Sequence, residues 1–195
     1  MSNMRKLTLL PCIAALALGA SFASAQKATQ APDPTAPRTA TEIIKGAQSQ
    51  ARIDKKNVMV IFHASWCGWC KKLDAYMATP VMKELLDKNY VIVHLDVLED
   101  DAHKNLENPE GMDYMTRFNG KNSGLPFTAI MTADGRMVAN SNAEKDGTTG
   151  NIGYPAAKGE IDWYIKMLKK TAPYMTTTQL TSIRAWLTKN APATH

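Results

Sequence analysis

Two cysteines one helical turn apart carry the strongest chemical signal in this sequence. They lie in the run WCGWC at positions 66–70, which follows the apolar residues 58–62 and precedes a lysine-rich stretch with helical spacing. A Cys-x-x-Cys pair where a strand passes into a helix is suited to disulfide exchange, because the free N–H groups of the first helical turn stabilise a thiolate. The pattern predicts Cys67 as the nucleophile and Cys70 as the more shielded thiol that resolves the exchange.

The first 25 residues have the order of a secretory signal peptide. Arg5 and Lys6 precede an apolar stretch over residues 7–20, and small residues lead up to the Ala25–Gln26 bond. This order predicts export and cleavage near that bond. The apolar stretch is short for a membrane span, although an uncleaved anchor stays open as the alternative. We therefore expect a periplasmic or secreted protein.

The cysteine count agrees with a redox role. Of the three cysteines, Cys12 lies in the segment expected to be removed, which leaves Cys67 and Cys70 in the mature chain. Export places this pair in an oxidising compartment, where a disulfide persists. A bridge across two intervening residues closes almost no loop and adds little stability, so exchange explains it better than stapling does.

Charge and length limit the classes of partner and the number of domains. Loss of Arg5 and Lys6 lowers the formal charge from +5 to +3, and no basic tract is interleaved with aromatic residues, which argues against a nucleic-acid partner. The remaining chain of about 170 residues is long enough for one domain with a substantial core. We divide the sequence into a signal peptide (residues 1–25), a flexible proline- and alanine-rich leader (residues 26–38) and one domain (residues 39–190).

Periodicity and turn residues predict alternating helices and strands in this domain. A capping-box pattern at Thr39 opens a first helix, and Pro80 is expected to kink the helix after the cysteines without dividing it. That helix joins two strands which should be parallel. Residues 141–159 are expected to form a glycine-rich loop. The expected strands are residues 58–63, 90–97, 127–131 and 137–140, and later helices contain Tyr114, Trp163 and Trp186.

These residues and their order resemble the thioredoxin superfamily, in particular its secreted thioredoxin-like members with a tryptophan between the cysteines. The similarity lies in residues 62–71 (FHASWCGWCK), in the strand–helix–strand unit around them, and in residues 124–128 (GLPFT) before a hairpin. The resemblance implies an α/β fold, a three-layer α/β/α sandwich with a central mixed sheet, here with an extra C-terminal helix.

The resemblance also implies a substrate-binding loop beside the cysteines. It implies that the Leu125–Pro126 peptide bond is cis and that the backbone near Leu125 can receive a substrate chain as an extra strand. An ordinary trans proline at a strand entrance is the alternative.

Two positions differ from thioredoxins proper. Ile61 stands where they have a buried aspartate that assists deprotonation of the resolving thiol, so His63, His94 and Asp96 become candidates for that role. A packed or solvated histidine is the alternative at each histidine position. Trp69 replaces a proline, and its bulk is expected to change the redox potential and the substrate groove.

The leading hypothesis is a thiol–disulfide oxidoreductase that acts on exported proteins carrying disulfides or dithiols. It would need a redox partner to recharge the cysteine pair, and a membrane would be involved only through that partner. No cofactor is expected beyond the redox-active Cys67–Cys70 pair. The predicted substrate contacts are Trp66, Gly68, Trp69, Leu125 and Pro126.

Three alternatives stay open. A non-catalytic binding module would use the groove near Pro126 as a chaperone or assembly surface. A zinc or copper site would need ligands besides the two cysteines. Trp66 could belong to the core instead of contacting a substrate. The available histidines are His63, His94, His103 and His195.

Overall fold

A computed structural model describes residues 36–145 and 148–191 of the chain. The predicted signal peptide and most of the predicted leader lie outside these residues and stay predictions. Within the described part of the chain, no helix is both long enough and apolar enough to cross a membrane.

The described residues form helices and strands in alternation, with a short 3₁₀ turn at Lys104–Leu106. The helices are α1 (Ala40–Asp54), α2 (Gly68–Met77), α3 (Pro80–Asn89), α4 (Gly111–Arg117), α5 (Lys158–Thr171) and α6 (Thr177–Lys189). The strands are β1 (Asn57–His63), β2 (Tyr90–Asp96), β3 (Phe127–Met131), β4 (Met137–Asn140), β5 (Asn142–Lys145) and β6 (Thr148–Asn151).

Four strands form one mixed sheet in the order β2-β1-β3-β4. β1 and β2 are parallel, with Ile61 beside His94, whereas β3 is antiparallel to both β1 and β4. Both the parallel pair and the antiparallel strands confirm the predicted sheet. The parallel arrangement follows from the crossover through α2 and α3, which returns the chain to the same end of the sheet.

The sheet is buried on both faces. Met59 and Ile61 of β1 face a core shared with α2, α3, α5 and α6, whereas Val58, Val60 and Phe62 face a core shared with α1 and α4. Because successive side chains of a strand point to opposite faces, one continuously apolar strand supplies both cores. The architecture is the predicted three-layer sandwich, and α6 is the extra C-terminal helix.

The first helix begins where its capping pattern predicts. The Thr39 hydroxyl oxygen accepts a hydrogen bond from the Glu42 N–H at 3.2 Å, and the Glu42 carboxylate accepts one from the Thr39 N–H at 3.0 Å. This reciprocal pair satisfies two N–H groups that would otherwise lack a partner.

The prediction of a single kinked helix across Pro80 is wrong. α2 ends at Met77, and Thr79 has an extended backbone with ψ of 140° before α3 begins at Pro80. The residue before a proline is sterically driven out of the helical region, and proline suits the first position of a new helix. The two effects together give two helices.

The prediction of a loop over residues 141–159 is wrong in its first part. β5 and β6 pair antiparallel as a separate two-stranded sheet, with Asn142 opposite Asn151. These strands lack the apolar alternation by which strands are recognised in a sequence. Their position is fixed by backbone hydrogen bonds around Ser141, whose N–H donates to the Thr128 carbonyl at 2.8 Å and whose carbonyl accepts from Ile152 at 2.9 Å.

The C-terminal helix should contribute to the stability of the whole domain. Leu187 of α6 is fully buried in the core next to α5. We expect Leu187→Ala to lower the free energy of unfolding by about 2–5 kcal/mol, because it leaves a cavity. The matched change Leu106→Ala, at a side chain that is 41% exposed, should cost less than about 1 kcal/mol. Denaturant unfolding measures both, and equal small losses would show that α6 is not part of the cooperative core.

Candidate active site around the Cys67–Cys70 disulfide

Cys67 lies at the N-terminal end of α2, in the turn that follows β1. Its own N–H donates to the Ala64 carbonyl at 3.1 Å, which closes the turn, and its Sγ accepts a hydrogen bond from the Cys70 N–H at 3.1 Å. The sulfur thus takes the position of a helix N-cap. A hydrogen bond and the positive end of the helix dipole both favour negative charge at this atom.

The two cysteines are joined by a disulfide, with their Cα atoms 5.3 Å apart. Cys67 is 3% exposed and Cys70 is 2% exposed, so the predicted difference in shielding is absent from the oxidised form. The two side chains pack with Ala64, and Leu125 covers them from the facing loop. The disulfide therefore lies between the N-terminus of α2 and the Leu125 loop.

Trp66 lies on the surface beside the disulfide. Its side chain is 55% exposed, and its indole N–H donates to the Leu98 carbonyl at 2.8 Å. The alternative that placed Trp66 in the core is therefore wrong. An exposed indole with its single donor already satisfied presents an apolar face to whatever approaches the cysteines.

Trp69 is held between two other side chains. Its ring stacks on Tyr154 with centroids 6.0 Å apart and an interplanar angle of 24°, and the Lys72 ammonium lies 4.4 Å from its centroid. Trp69 is still half exposed. Gly68, between the cysteines, meets no atom within 4 Å where a Cβ would be placed. The substrate role of Gly68 stays a prediction.

The Leu125–Pro126 peptide bond is cis, as the resemblance implied. The loop is held by Asn151, whose side-chain amide donates to the carbonyls of Gly124 at 2.6 Å and Pro126 at 2.9 Å. The side-chain oxygen of Asn151 in turn accepts a hydrogen bond from the Ser141 hydroxyl at 2.6 Å. The β5–β6 hairpin therefore holds the loop that faces the disulfide.

The three candidates for proton transfer lie together on the α2 side of the sheet. The Nε2 atom of His63 is 3.2 Å from an Asp96 carboxylate oxygen, and the His63 and His94 rings are 4.9 Å apart. His94 contacts Asp74 of α2 at 3.0 Å, one helical turn beyond Cys70. The structure thus groups all three candidates, and their role in proton transfer stays a prediction.

Burial shifts the pKa of two side chains in this cluster, His63 and Asp96. Desolvation lowers the pKa of His63 below its usual value, although the Asp96 carboxyl opposes that shift. Desolvation likewise raises the pKa of Asp96, against the effect of His63. Both shifts favour the uncharged forms. The Nε2 atom of His63 is buried, and although it lies near the Asp96 carboxylate it makes no hydrogen bond of good geometry within the described residues.

The metal-binding alternative gains no support from residues 36–145 and 148–191. There, no group of three or more histidine, cysteine or acidic side chains has the geometry to hold an ion. His103 lies away from the cysteines in an exposed pair with Asp100, and His195 lies outside the described residues.

Four residues of the site carry no signal in the sequence: Leu98, Glu99, Asn151 and Tyr154. Each lies in a polar segment between predicted elements, far along the chain from the group that it contacts. Nothing in their spacing indicated contacts with the cysteine motif.

Comparison with known proteins gives one family match. A family model described as thioredoxin-like matches residues 39–133, which include the cysteine motif, the parallel strand pair and β3. No curated protein matches the sequence.

Several solved structures are similar to this chain. A disulphide isomerase from Xylella fastidiosa Temecula1 is 17% identical, with a TM-score of 0.46 over 89% of this chain and 98% of that one. The oxidised C-terminal domain of DsbD from Neisseria meningitidis is 24% identical, with a TM-score of 0.41 over 67% of this chain and 98% of that one. A thioredoxin from Thermus thermophilus is 20% identical, with a TM-score of 0.38 over 53% of this chain and 71% of that one.

The stacking of Tyr154 on Trp69 should fix the indole at the edge of the site. We expect Tyr154→Ala to shift the indole resonances of Trp69 in NMR spectra, because the stacked ring is lost, whereas Tyr154→Phe keeps the ring and should leave them in place. The resonances are assigned by their loss in Trp69→Phe. Trp69 signals that are unchanged in Tyr154→Ala would contradict the stacked geometry.

Proposed function

The chain is a member of the thioredoxin superfamily, and on that premise we propose that it is a thiol–disulfide oxidoreductase acting on exported proteins through Cys67 and Cys70. The observation that carries this proposal is the hydrogen bond from the Cys70 N–H to the Cys67 sulfur at the N-terminus of α2. That contact favours a thiolate at Cys67 once the disulfide is reduced. A sulfur that is both a good nucleophile and a good leaving group is what exchange requires.

The reaction follows from the two sulfurs. In the reducing direction, the Cys67 thiolate attacks one sulfur of a substrate disulfide, and the other substrate sulfur leaves as a thiolate that takes up a proton. The Cys70 thiolate then attacks the Cys67 sulfur and releases the second substrate thiol. The protein is left with the Cys67–Cys70 disulfide, and two electrons have passed to the substrate. The oxidising direction reverses these steps.

The Leu125 loop supplies a place for the substrate backbone. Asn151 occupies the carbonyls of Gly124 and Pro126, whereas the N–H and carbonyl of Leu125 make no hydrogen bond within the described residues. We propose that an extended substrate chain pairs with these two groups, as an added strand does at a sheet edge. Trp66 and Trp69 then contact the substrate residues on either side of its cysteine.

The chemistry also requires a second partner. Each turnover leaves the cysteine pair in the opposite oxidation state, so another dithiol or disulfide must restore it. The signal-like order of residues 1–25 supports an exported location for both reactions. Equilibration in glutathione buffers would give the redox potential and thereby the direction of electron flow.

The two cysteines should fail in different ways when replaced. We expect the protein to accelerate dithiol-driven reduction of insulin and Cys67→Ser to lose this activity entirely, because the attacking sulfur is gone. Cys70→Ser should instead accumulate a mixed disulfide at Cys67, visible as a mass increase under non-reducing conditions. If the wild-type protein shows no cysteine-dependent turnover of insulin or another protein disulfide, the proposal fails and a binding module becomes the better explanation.

We propose His63 as the proton acceptor for the resolving thiol, in the absence of an aspartate at position 61. Burial lowers its pKa and so favours the neutral ring. The charged or titratable groups that face it are His94, Asp96, Asp74 and Glu99. Neighbouring carboxylates stabilise the imidazolium that forms when it takes the proton. His94 is less suited because its Nε2 is hydrogen-bonded to Asp74 at 3.0 Å, whereas the His63 Nε2, 3.2 Å from Asp96, makes no hydrogen bond of good geometry within the described residues.

His63→Gln should slow the decay of the mixed disulfide by about 100-fold near neutral pH, the usual value of a general base. In the wild type this decay should also slow at low pH, because protonated His63 cannot accept the proton. Burial lowers the pKa of His63, so the slowing should begin below the ordinary histidine pKa of about 6.5. Quenched-flow rates across pH measure both effects. The exposed His103→Gln is the control, and identical pH profiles for wild type and His63→Gln would contradict the role.

A further inference from the structure

The segment directly after β2 contacts the turn that carries Cys67. The Val97 N–H donates to the His63 carbonyl at 2.9 Å and so extends the strand pairing by one residue. Leu98 then takes a left-handed backbone with φ of 55°, which is uncommon for a residue with a side chain. This conformation places its carbonyl against the Trp66 indole N–H at 2.8 Å.

The next residue, Glu99, places a carboxylate under the same turn. Glu99 is 6% exposed, and its two oxygens accept from the Ser65 N–H at 2.7 Å and the Ser65 hydroxyl at 2.6 Å. Burying a carboxylate is costly unless its oxygens are hydrogen-bonded. Both Glu99 oxygens therefore accept hydrogen bonds from Ser65, which lies two positions before Cys67.

Glu99 is itself held from the opposite side. Its N–H donates to a Glu107 carboxylate oxygen at 2.9 Å, and the Lys104 ammonium donates to the same oxygen at 2.8 Å. A chain of contacts thus runs from the 3₁₀ turn at Lys104–Leu106 to Ser65. This chain fixes the Glu99 carboxylate in place.

We propose that Glu99 is a positioning residue for Cys67, which holds the Ser65–Trp66 turn so that the sulfur and the Trp66 indole face the substrate. The inference rests on the proposed oxidoreductase function and names a residue on which its first step depends. A negative charge does not favour a thiolate, so the contribution of Glu99 is to geometry and not to the acidity of the thiol. Small displacements of a nucleophile lower the rate of attack steeply.

The test compares two Glu99 variants with a neighbour. Glu99→Ala removes both acceptors and should lower kcat/KM for insulin reduction about 10-fold or more, because the attacking sulfur is displaced. Glu99→Gln keeps an oxygen that can accept from the Ser65 N–H, and its NH₂ group can donate to the Ser65 hydroxyl oxygen. Its kcat/KM should therefore stay within about threefold of wild type. Asp101→Asn removes the same charge at an exposed side chain and should leave kcat/KM unchanged.

A second measurement does not depend on turnover. The Trp66 indole N–H resonance, assigned by its loss in Trp66→Phe, should shift in Glu99→Ala and stay in place in Glu99→Gln and Asp101→Asn. Alkylation of reduced Cys67 by iodoacetamide should change its rate in Glu99→Ala alone. If Glu99→Ala does not fold, Ser65→Ala, which removes only the hydroxyl donor, should shift the same resonance and lower kcat/KM several-fold.

The outcomes separate the two proposals. A wild-type protein without disulfide-exchange activity would end the proposed function, while the Trp66 resonance and the alkylation rates would still report on Glu99. A folded Glu99→Ala protein with kcat/KM within twofold of wild type would overturn the positioning role. So would an equal loss in Asp101→Asn, since net charge would then explain the effect.

Discussion

The hydrogen bond from the Cys70 N–H to the Cys67 sulfur is the contact on which the rest of the site depends. It exists because β1 ends just before the motif and α2 begins at Gly68, so that the sulfur occupies the cap of a helix. Both faces of β1 are buried, so the strand that leads into this helix is held by two cores. The chemistry of one atom therefore depends on the packing of the whole sheet.

Around this atom, segments beyond the minimal strand–helix–strand unit hold the two tryptophans. The Leu98 carbonyl accepts a hydrogen bond from the Trp66 indole N–H, and the Tyr154 ring stacks on Trp69. Tyr154 directly follows the β5–β6 hairpin, whose Asn151 also holds the loop with the cis proline. The same additions that enlarge the fold thus shape the surface around a disulfide that is almost completely buried. A substrate would meet a rim of fixed aromatic rings, and the reactive sulfurs would lie beneath it.

Position 61 is an isoleucine where thioredoxins have an aspartate, and titratable side chains lie close to it in the sheet. Ile61 lies beside His94 in the sheet, and His63 lies two residues further on the same face. Burial lowers the pKa of His63 and raises the pKa of Asp96, so the uncharged forms of these two side chains are favoured. The thiolate-stabilising helix terminus and this histidine belong to consecutive elements, because β1 leads directly into α2.

The sequence alone determined the elements whose signals are local. Apolar runs bounded by turn residues predicted the four strands of the main sheet, the Thr39 capping box predicted the start of α1, and the cysteine spacing predicted the pair that forms the disulfide. Only the tertiary structure decided which distant residues reach that pair. Glu99, Asn151 and Tyr154 lie in polar segments without periodicity, and their contacts depend on hydrogen bonds and ring stacking across the fold. Local propensity carries no information about such contacts, because they form only when the sheet brings separate segments together.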